Sequence, residues 1–227
     1  TMQIQHVKLH TVDLAQQQPF YTQTLGLPLA HSAPGTFTVQ MGKTALTFSV
    51  AETPHIHHIA INIPPQQFES ALAWTEARVP LLPFNGKKII DFSKSTWQAR
   101  SLYFEDPGGN VIEFIARERV AVPDAPDDFA LEHLIGISEV GLASDNVRGL
   151  VAELRAALDV PVFDGDPETG FCALGDDSGL LICVETGRNW LPTDNRPSGV
   201  YPVEMTISGD SPGTHTFYDG AYTVRVT

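Results

Sequence analysis

The sequence predicts an α+β fold of four βαβββ-type units, forming two domains with curved, cup-like mixed sheets, in which the last unit is shortened. Three observations predict this fold. A strand and helix pattern in residues 1–51 begins again at residue 58, a proline- and aspartate-rich break follows residue 119, and the opening pattern then recurs at a constant offset. Such recurrence is typical of a repeated structural unit.

The first unit occupies residues 1–51. Ile4 to Val12 alternates apolar and polar residues, which predicts a half-buried strand. Asp13 suits the N-cap of the helix that follows, and Gly26 suits its C-terminus. Thr36 to Met41 and Thr44 to Ala51 then predict a hairpin.

The second unit repeats this order. His58 to Ile63 alternates again, and Gln66 to Ala77 has apolar residues at helical spacing. Asp106 to Asn110 is a strong turn sequence, because proline presets φ and glycine tolerates positive φ. Three candidate strands complete the unit, at residues 88–92, 100–105 and 111–116. Residues 1–118 are therefore expected to form one domain.

A linker is expected over residues 119–136 and a second domain over residues 137–227. The second domain repeats the opening pattern in one unbroken register, in which Val7, Leu9, Leu25, Leu27 and Pro28 match Val140, Leu142, Leu158, Val160 and Pro161. The third unit runs to about Thr186. The fourth, from Val200, is abbreviated because no long helix follows its first strand.

Composition excludes several classes of partner. Among 227 residues, 14 Lys and Arg oppose 27 Asp and Glu, and the net charge of −13 disfavours nucleic acid and anionic lipid. No apolar run approaches a membrane span and no signal peptide is recognised, so a cytoplasmic location is expected.

Cys172 and Cys183 lack zinc-site spacing and are expected to be buried free thiols.

Three residues that are distant in sequence make a candidate metal site. His6 and His58 lie on the first strands of the first two units, and Glu113 lies on the last strand of the second. Strand alternation lets all three side chains point to one concave face. Two imidazoles and one carboxylate leave coordination positions open, which a catalytic divalent metal ion requires.

The same residues carry a family resemblance. His6 to Leu9, Asp13-Leu14 and Leu25-Gly26-Leu27, with His58 to Ile61 and Tyr103 to Glu113, resemble signatures of the vicinal oxygen chelate superfamily. That superfamily includes glyoxalase I, fosfomycin-resistance enzymes, bleomycin-binding proteins and extradiol dioxygenases. The resemblance implies that His6, His58 and Glu113 are metal ligands. A site of two histidines and one carboxylate favours Fe(II), with Zn, Mn and Ni as alternatives.

Further residues are candidates for substrate contact. Tyr103 resembles a tyrosine that contacts the substrate hydroxyl in extradiol dioxygenases, and His10 shares the orientation of His6, so it is a second catalytic candidate. Lys8 and Asn62 also point inward and are candidates for substrate binding, whereas His57 is expected at the surface.

The second domain is expected to bind no metal, because no imidazole remains at the matching positions. Glu139 is the counterpart of His6, Pro202 falls near the counterpart of His58, and Arg225 loosely matches Glu113. Glu139 and Arg225 are expected to form an ion pair in place of the ion.

The expected function is a metal-dependent enzyme whose small-molecule substrate presents two neighbouring oxygens to the ion. An extradiol-type ring-cleaving dioxygenase is the first choice, although such enzymes usually carry the metal in their C-terminal pair of units. A glyoxalase-like isomerase or lyase and a non-catalytic, antibiotic-binding protein are the alternatives, and a homodimer is possible because related modules pair across chains.

Overall fold

Fifteen strands in two mixed sheets and three α-helices make up the protein, and a computed structural model describes all of residues 1–227. The first-half strands are β1 Ile4–Thr11, β2 Leu29–Ala33, β3 Thr36–Met41, β4 Thr44–Val50, β5 His58–Asn62, β6 Ile90–Asp91, β7 Ala99–Glu105 and β8 Val111–Arg117. The second-half strands are β9 Gly136–Ser144, β10 Val162–Asp166, β11 Phe171–Asp176, β12 Gly179–Glu185, β13 Val203–Ile207, β14 Gly213–Phe217 and β15 Tyr222–Val226. The predicted α+β class is confirmed.

The helices follow the first strands of the first three units. They are α1 Leu14–Pro19, which continues into a π-helical turn at Phe20–Thr24, α2 Phe68–Glu76 and α3 Val147–Leu158. The predicted N-cap of α1 is confirmed, because the Asp13 carboxylate accepts a hydrogen bond from the Gln16 amide at 3.1 Å. The fourth unit has no helix, as expected. No helix combines the length and the apolar character needed to cross a membrane.

The sheets combine units that are not consecutive. One sheet has the strand order β14-β15-β13-β1-β4-β3-β2 and joins the first and fourth units, whereas the other has the order β10-β11-β12-β9-β5-β8-β7-β6 and joins the second and third. The expectation that each domain closes its own sheet is therefore wrong. Each unit leaves one edge of its first strand unpaired, and the antiparallel pairs β1 with β13 and β5 with β9 cover those edges.

One hydrophobic core serves both sheets. A single cluster of 45 buried residues contains the apolar faces of β1, β4, β5, β9 and β13 together with those of the helices. Both predicted free thiols are confirmed, since Cys172 and Cys183 lie buried and unbonded on neighbouring strands. The two sheets are therefore held back to back, and their other faces are available for polar residues.

The predicted turn after β7 connects the first two units. The Asp106 carboxylate is buried and accepts hydrogen bonds from Gln17 at 2.5 Å, Tyr21 at 2.8 Å and Asn110 at 2.8 Å. Gln17 and Tyr21 belong to the first unit, so this one side chain ties its helical segment to the hairpin of β7 and β8. That hairpin carries Glu113.

Candidate metal centre

Three metal-ligating side chains meet on adjacent strands of the eight-stranded sheet. His58 begins β5, Glu113 lies on β8 and Glu139 lies on β9, and one ligand atom from each lies within 4.8 Å of the others. Both carboxylate residues are opposite Ala60, which shares the face of His58. All three are almost fully buried. The register of the strands thus places them around one point.

The orientation of His58 is set by the backbone. Its Nδ1 lies 3.1 Å from the Val111 carbonyl oxygen, which can only accept a hydrogen bond, so Nδ1 carries the proton. Its Nε2 faces Glu113 Oε2 at 3.5 Å and Glu139 Oε2 at 3.7 Å. A hydrogen bond from Nδ1 of this kind fixes the histidine tautomer and leaves Nε2 without a proton, free to bind a metal.

The two carboxylates repel each other in a dry environment. Burial and the charge of Glu139 raise the pKa of Glu113 to about 7, against the opposing effect of His58. Burial lowers the pKa of His58, but the hydrogen bond with Glu139 and the charge of Glu113 outweigh it, so that pKa is raised. Without a metal ion, these groups therefore hold a proton near neutral pH.

Arg117 supplies the positive charge behind the cluster. Its side chain is fully buried, and Nη2 donates to Glu139 Oε1 while Nε donates to Asn62 Oδ1 at 3.2 Å. Asn62 in turn donates to the Asp177 carbonyl at 2.8 Å. Glu139 thus gives one oxygen to Arg117 and keeps the other beside His58.

The three ligands fit a divalent metal ion. Bonds of ~2.1 Å in a tetrahedral shell separate neighbouring ligand atoms by about 3.4 Å, and the separations from His58 Nε2 are 3.5 and 3.7 Å. An ion would also neutralise the two facing carboxylates. One nitrogen and two oxygens leave positions open to the adjoining cavity, as a catalytic site requires.

A cavity of about 270 Å³ opens directly over these ligands. Its walls are mainly hydrophobic, and five of the lining side chains are aromatic, namely Phe92, Trp97, Tyr103, Phe171 and Trp190. The Trp190 indole stacks on the His58 ring, with centroids 5.3 Å apart and planes at 28°. Gly141 makes room for it, because a Cβ there would lie 2.4 Å from Trp190 Cη2.

The structure brings together only some of the predicted site residues. His58, Glu113 and Tyr103 line the cavity, whereas His6 lies on β1 in the other sheet, where its Nε2 is 2.9 Å from Thr47 Oγ1. The expected convergence of His6 with His58 and Glu113 is therefore not found. Lys8 is also in that sheet and its ammonium pairs with Glu204 at 2.7 Å, so it does not line this cavity.

Two other candidates have different surroundings from those expected. Asn62 stands behind the cluster as a partner of Arg117 and does not line the cavity. His10 lies beside His55, with ring centroids 5.8 Å apart, and is likewise outside it. His57, expected at the surface, is buried, because its ring packs against the rings of His55 and Tyr201, with centroids 6.0 and 5.7 Å away.

Glu139 takes the position that His6 was expected to fill. The internal repeat explains why. Glu113 lies opposite Ala60, which is two residues after His58. In the repeated unit Ile182 lies opposite Gly141, which is two residues after Glu139, so Glu139 corresponds to His58 and Ile182 corresponds to Glu113. The fourth position of this symmetric set is thus apolar. Glutamate is itself a common metal ligand, so the repeat that aligned Glu139 with His6 was the signal that identifies it.

The seven-stranded sheet holds a degenerate copy of the set. By the same register its members are His6, Thr47, Glu204 and Arg225. The expected ion pair between Glu139 and Arg225 is not formed, because Arg225 lies in this sheet and Glu139 pairs with Arg117. Lys8 supplies a positive charge to Glu204 here.

Comparison with known proteins identifies solved structures that share this architecture. The sequence matches no protein-family model and no curated protein. The structure is similar over its whole length to a protein from Bacillus subtilis described as a "putative dioxygenase", with a TM-score of 0.60, 18% identity and 85% of that chain covered. It also resembles a variant of glyoxalase I from Zea mays, with a TM-score of 0.55, 11% identity, and 99% and 93% of the two chains covered. The fold is thus the one implied by the resemblance to the vicinal oxygen chelate superfamily.

Proposed function

We propose that the protein is a metal-dependent enzyme acting on a small molecule that carries two neighbouring oxygen atoms. The observation that carries the proposal is the buried group of His58, Glu113 and Glu139 at the base of a cavity. A divalent ion held there would polarise two chelating oxygens and stabilise the negative charge that develops on them.

The ligand set favours an oxygen-preferring ion. Two carboxylates and one imidazole form a harder, more oxygen-rich ligand set than the two-histidine site expected from the sequence. Mn(II) and Fe(II) bind such ligand sets better than softer metal ions do. Fe(II) is the ion to test first, since a ring-cleaving reaction needs oxygen chemistry. Zn and Ni are the alternatives.

Tyr103 is the protein group best placed to orient a substrate oxygen. It lies opposite Glu113 in the β7 and β8 pair and lines the cavity. Burial and the neighbouring Glu113 and Glu139 carboxylates hold its pKa well above the ordinary value. It therefore remains protonated and acts as a hydrogen-bond donor rather than as a base.

Ring cleavage of the extradiol type is the reaction we favour. The aromatic walls suit a planar ring, and the apolar Ile182 at the fourth symmetric position leaves the ion more open than a site with four protein ligands. The full-length neighbour described as a "putative dioxygenase" makes oxygen chemistry the first to test. A glyoxalase-like isomerase is the second candidate, and the glyoxalase I fold likeness supports it.

Metal content tests the proposal directly. Protein purified without chelators and loaded with Fe(II) under nitrogen is expected to hold about one ion per chain, and His58→Ala is expected to lose it. His31→Ala is the matched control, because His31 is exposed on β2 of the other sheet. Equal metal content in all three proteins, or no metal in any, would overturn the assignment and favour a metal-free binding protein.

Oxygen uptake then separates the two reaction types. Fe(II)-loaded protein with catechol is expected to consume one O₂ for each ring opened and to develop the visible absorbance of the ring-opened product. Loss of both signals in Tyr103→Phe, with its metal retained, would support the role of the hydroxyl. Isomerisation of a 2-oxoaldehyde hemithioacetal without oxygen uptake would instead establish the glyoxalase-like alternative.

A further inference from the structure

We propose that the substrate of this cavity is an anionic aromatic compound, whose carboxylate pairs with Arg188 while its vicinal oxygens face the metal centre. This inference rests on the proposed function, because it takes the His58, Glu113 and Glu139 cluster as the metal end of the cavity. It adds a substrate class and a specificity residue to that site.

The cavity fits a single substituted ring. Its volume of about 270 Å³ is just below the range of roughly 300–1,000 Å³ typical of small-molecule sites. Aromatic side chains from three separate segments line the wall: Trp97 from just before β7, Phe171 from β11 and Trp190 from the loop after β12. Flat apolar walls of this kind bind planar rings through stacking and burial of apolar surface.

Arg188 is a cation without a carboxylate partner. Its exposed side chain lines the cavity and forms no ion pair, and its guanidinium carbon lies 5.2 Å from the centre of the Phe171 ring. All other lining residues except Glu113, Glu139 and His58 are uncharged. A guanidinium held over an aromatic face retains its hydrogen-bond donors and binds a planar carboxylate through two of them.

The backbone holds Arg188 at the cavity. The Ser198 amide donates to the Arg188 carbonyl at 2.8 Å, and the Gly187 amide donates to the Ser198 carbonyl at 2.9 Å. The Trp190 amide bonds in the same way to the Arg196 carbonyl at 2.9 Å. The loop that presents Arg188 is therefore a hydrogen-bonded, hairpin-like segment whose backbone is held beside the cavity before any ligand binds.

Charge balance also favours an anion. The Glu113 and Glu139 carboxylates and the Arg117 guanidinium together leave one net negative charge, and a divalent ion converts it to one net positive charge. Arg188 adds a second positive charge at the cavity. A ligand that carries a carboxylate and one ionised chelating oxygen would balance both charges.

Trp190 offers a further polar contact. Its side chain is 5% exposed and lines the cavity, yet its Nε1 is buried without a hydrogen-bond partner. A buried donor without a partner is costly, and a ligand oxygen that reached Nε1 after a small shift of the indole would relieve that cost, whereas a hydrocarbon of the same shape would not.

Ligand binding to the Zn-loaded protein tests the inference without turnover. Quenching of tryptophan fluorescence reports binding of catechol and of 3,4-dihydroxybenzoate, which differ by one carboxylate. The wild-type protein is expected to bind the carboxylated compound at least roughly ten-fold more tightly, and Arg188→Gln is expected to abolish that preference while leaving catechol affinity unchanged. Arg148→Gln is the control for net charge, because Arg148 is exposed on α3, outside the cavity.

Each outcome decides one question. Equal affinity for the two compounds in the wild-type protein, or equal weakening of both by Arg188→Gln, would overturn the substrate class. Metal content measured on the same samples keeps the proposed function separate: without bound Zn the metal centre fails, while an Arg188-dependent carboxylate preference in the metal-free protein still supports the anion site.

Discussion

Arg117 forms a buried ion pair with Glu139, which is also one of the three candidate metal ligands. Nη2 of Arg117 donates to Oε1 of Glu139, and the two side chains are 0% and 4% exposed. Removing one partner of such a pair leaves an uncompensated charge in the interior, which costs more than the intact pair contributes. Arg117 therefore supplies the positive charge that compensates the Glu139 carboxylate beside Glu113.

Replacing Arg117 is expected to destabilise the metal-free protein strongly. Arg117→Met should lower the free energy of unfolding in urea by about 3–5 kcal/mol, and the double variant Arg117→Met with Glu139→Gln should recover part of that loss. Arg119→Met is the control, because the Arg119 pair with Asp177 is partly exposed and should contribute about 1 kcal/mol or less. Equal effects of the two single substitutions would contradict the role given to Arg117.

Metal binding is expected to weaken in acid because a proton competes at Glu113. Its pKa of about 7 means that the ligand must lose a proton to bind metal below that pH. Apparent metal affinity, measured by equilibrium dialysis, should fall roughly ten-fold for each pH unit below about 7. An affinity that stays flat between pH 5.5 and 8 would show that Glu113 carries no such proton.

The raised pKa of Glu113 also affects the stability of the metal-free protein. The contribution of Glu113 to that stability falls as pH rises, whereas metal affinity increases. A carboxyl group whose folded-state pKa is raised from 4.5 to about 7 binds more protons when folded, so the stability it contributes is lost as pH rises through this window. Urea unfolding of both proteins should show this as a stability difference, wild type minus Glu113→Gln, that falls as pH rises, because the depressed pKa of His57 acts equally in the two proteins. A difference that stays constant or grows over the same range would contradict the assignment.

Local features of this fold were predictable because they are encoded in short stretches. Period-2 alternation identified the strand that carries His58, and Asp106 to Asn110 identified the turn before Glu113. The partner of each first strand was not predictable, because alternation specifies which face is buried and not which strand lies alongside. The pairing of β5 with β9 decided the third ligand, and it placed Glu139 beside His58 instead of His6.

His6 is therefore expected to be dispensable for metal binding. His6→Ala should retain about one ion per chain, whereas Glu139→Gln should lose affinity at least roughly a hundred-fold. The reason is that His6 contacts Thr47 in the seven-stranded sheet, while Glu139 Oε2 lies 3.7 Å from His58 Nε2. Elemental analysis after dialysis measures both, and loss of metal in His6→Ala alone would restore the site expected from the sequence.

Gly141 and Trp190 are expected to act as a pair in shaping the cavity. A Cβ at position 141 would lie 2.4 Å from Trp190 Cη2, and the rigid indole cannot yield without leaving its stack on His58. Gly141→Ala should therefore weaken binding of 3,4-dihydroxybenzoate to the Zn-loaded protein by roughly ten-fold or more. Calorimetric titration measures this without relying on the fluorescence of Trp190 itself.

A double-mutant cycle distinguishes this clash from a general defect. Trp190→Phe removes the indole atoms that a methyl group at position 141 would meet, so adding Gly141→Ala to Trp190→Phe should cost little further affinity. Additive losses in the two substitutions would mean that the methyl group acts through β9 and not through the indole. Strong coupling, with metal content unchanged, would establish that the glycine is required by the wall of the cavity.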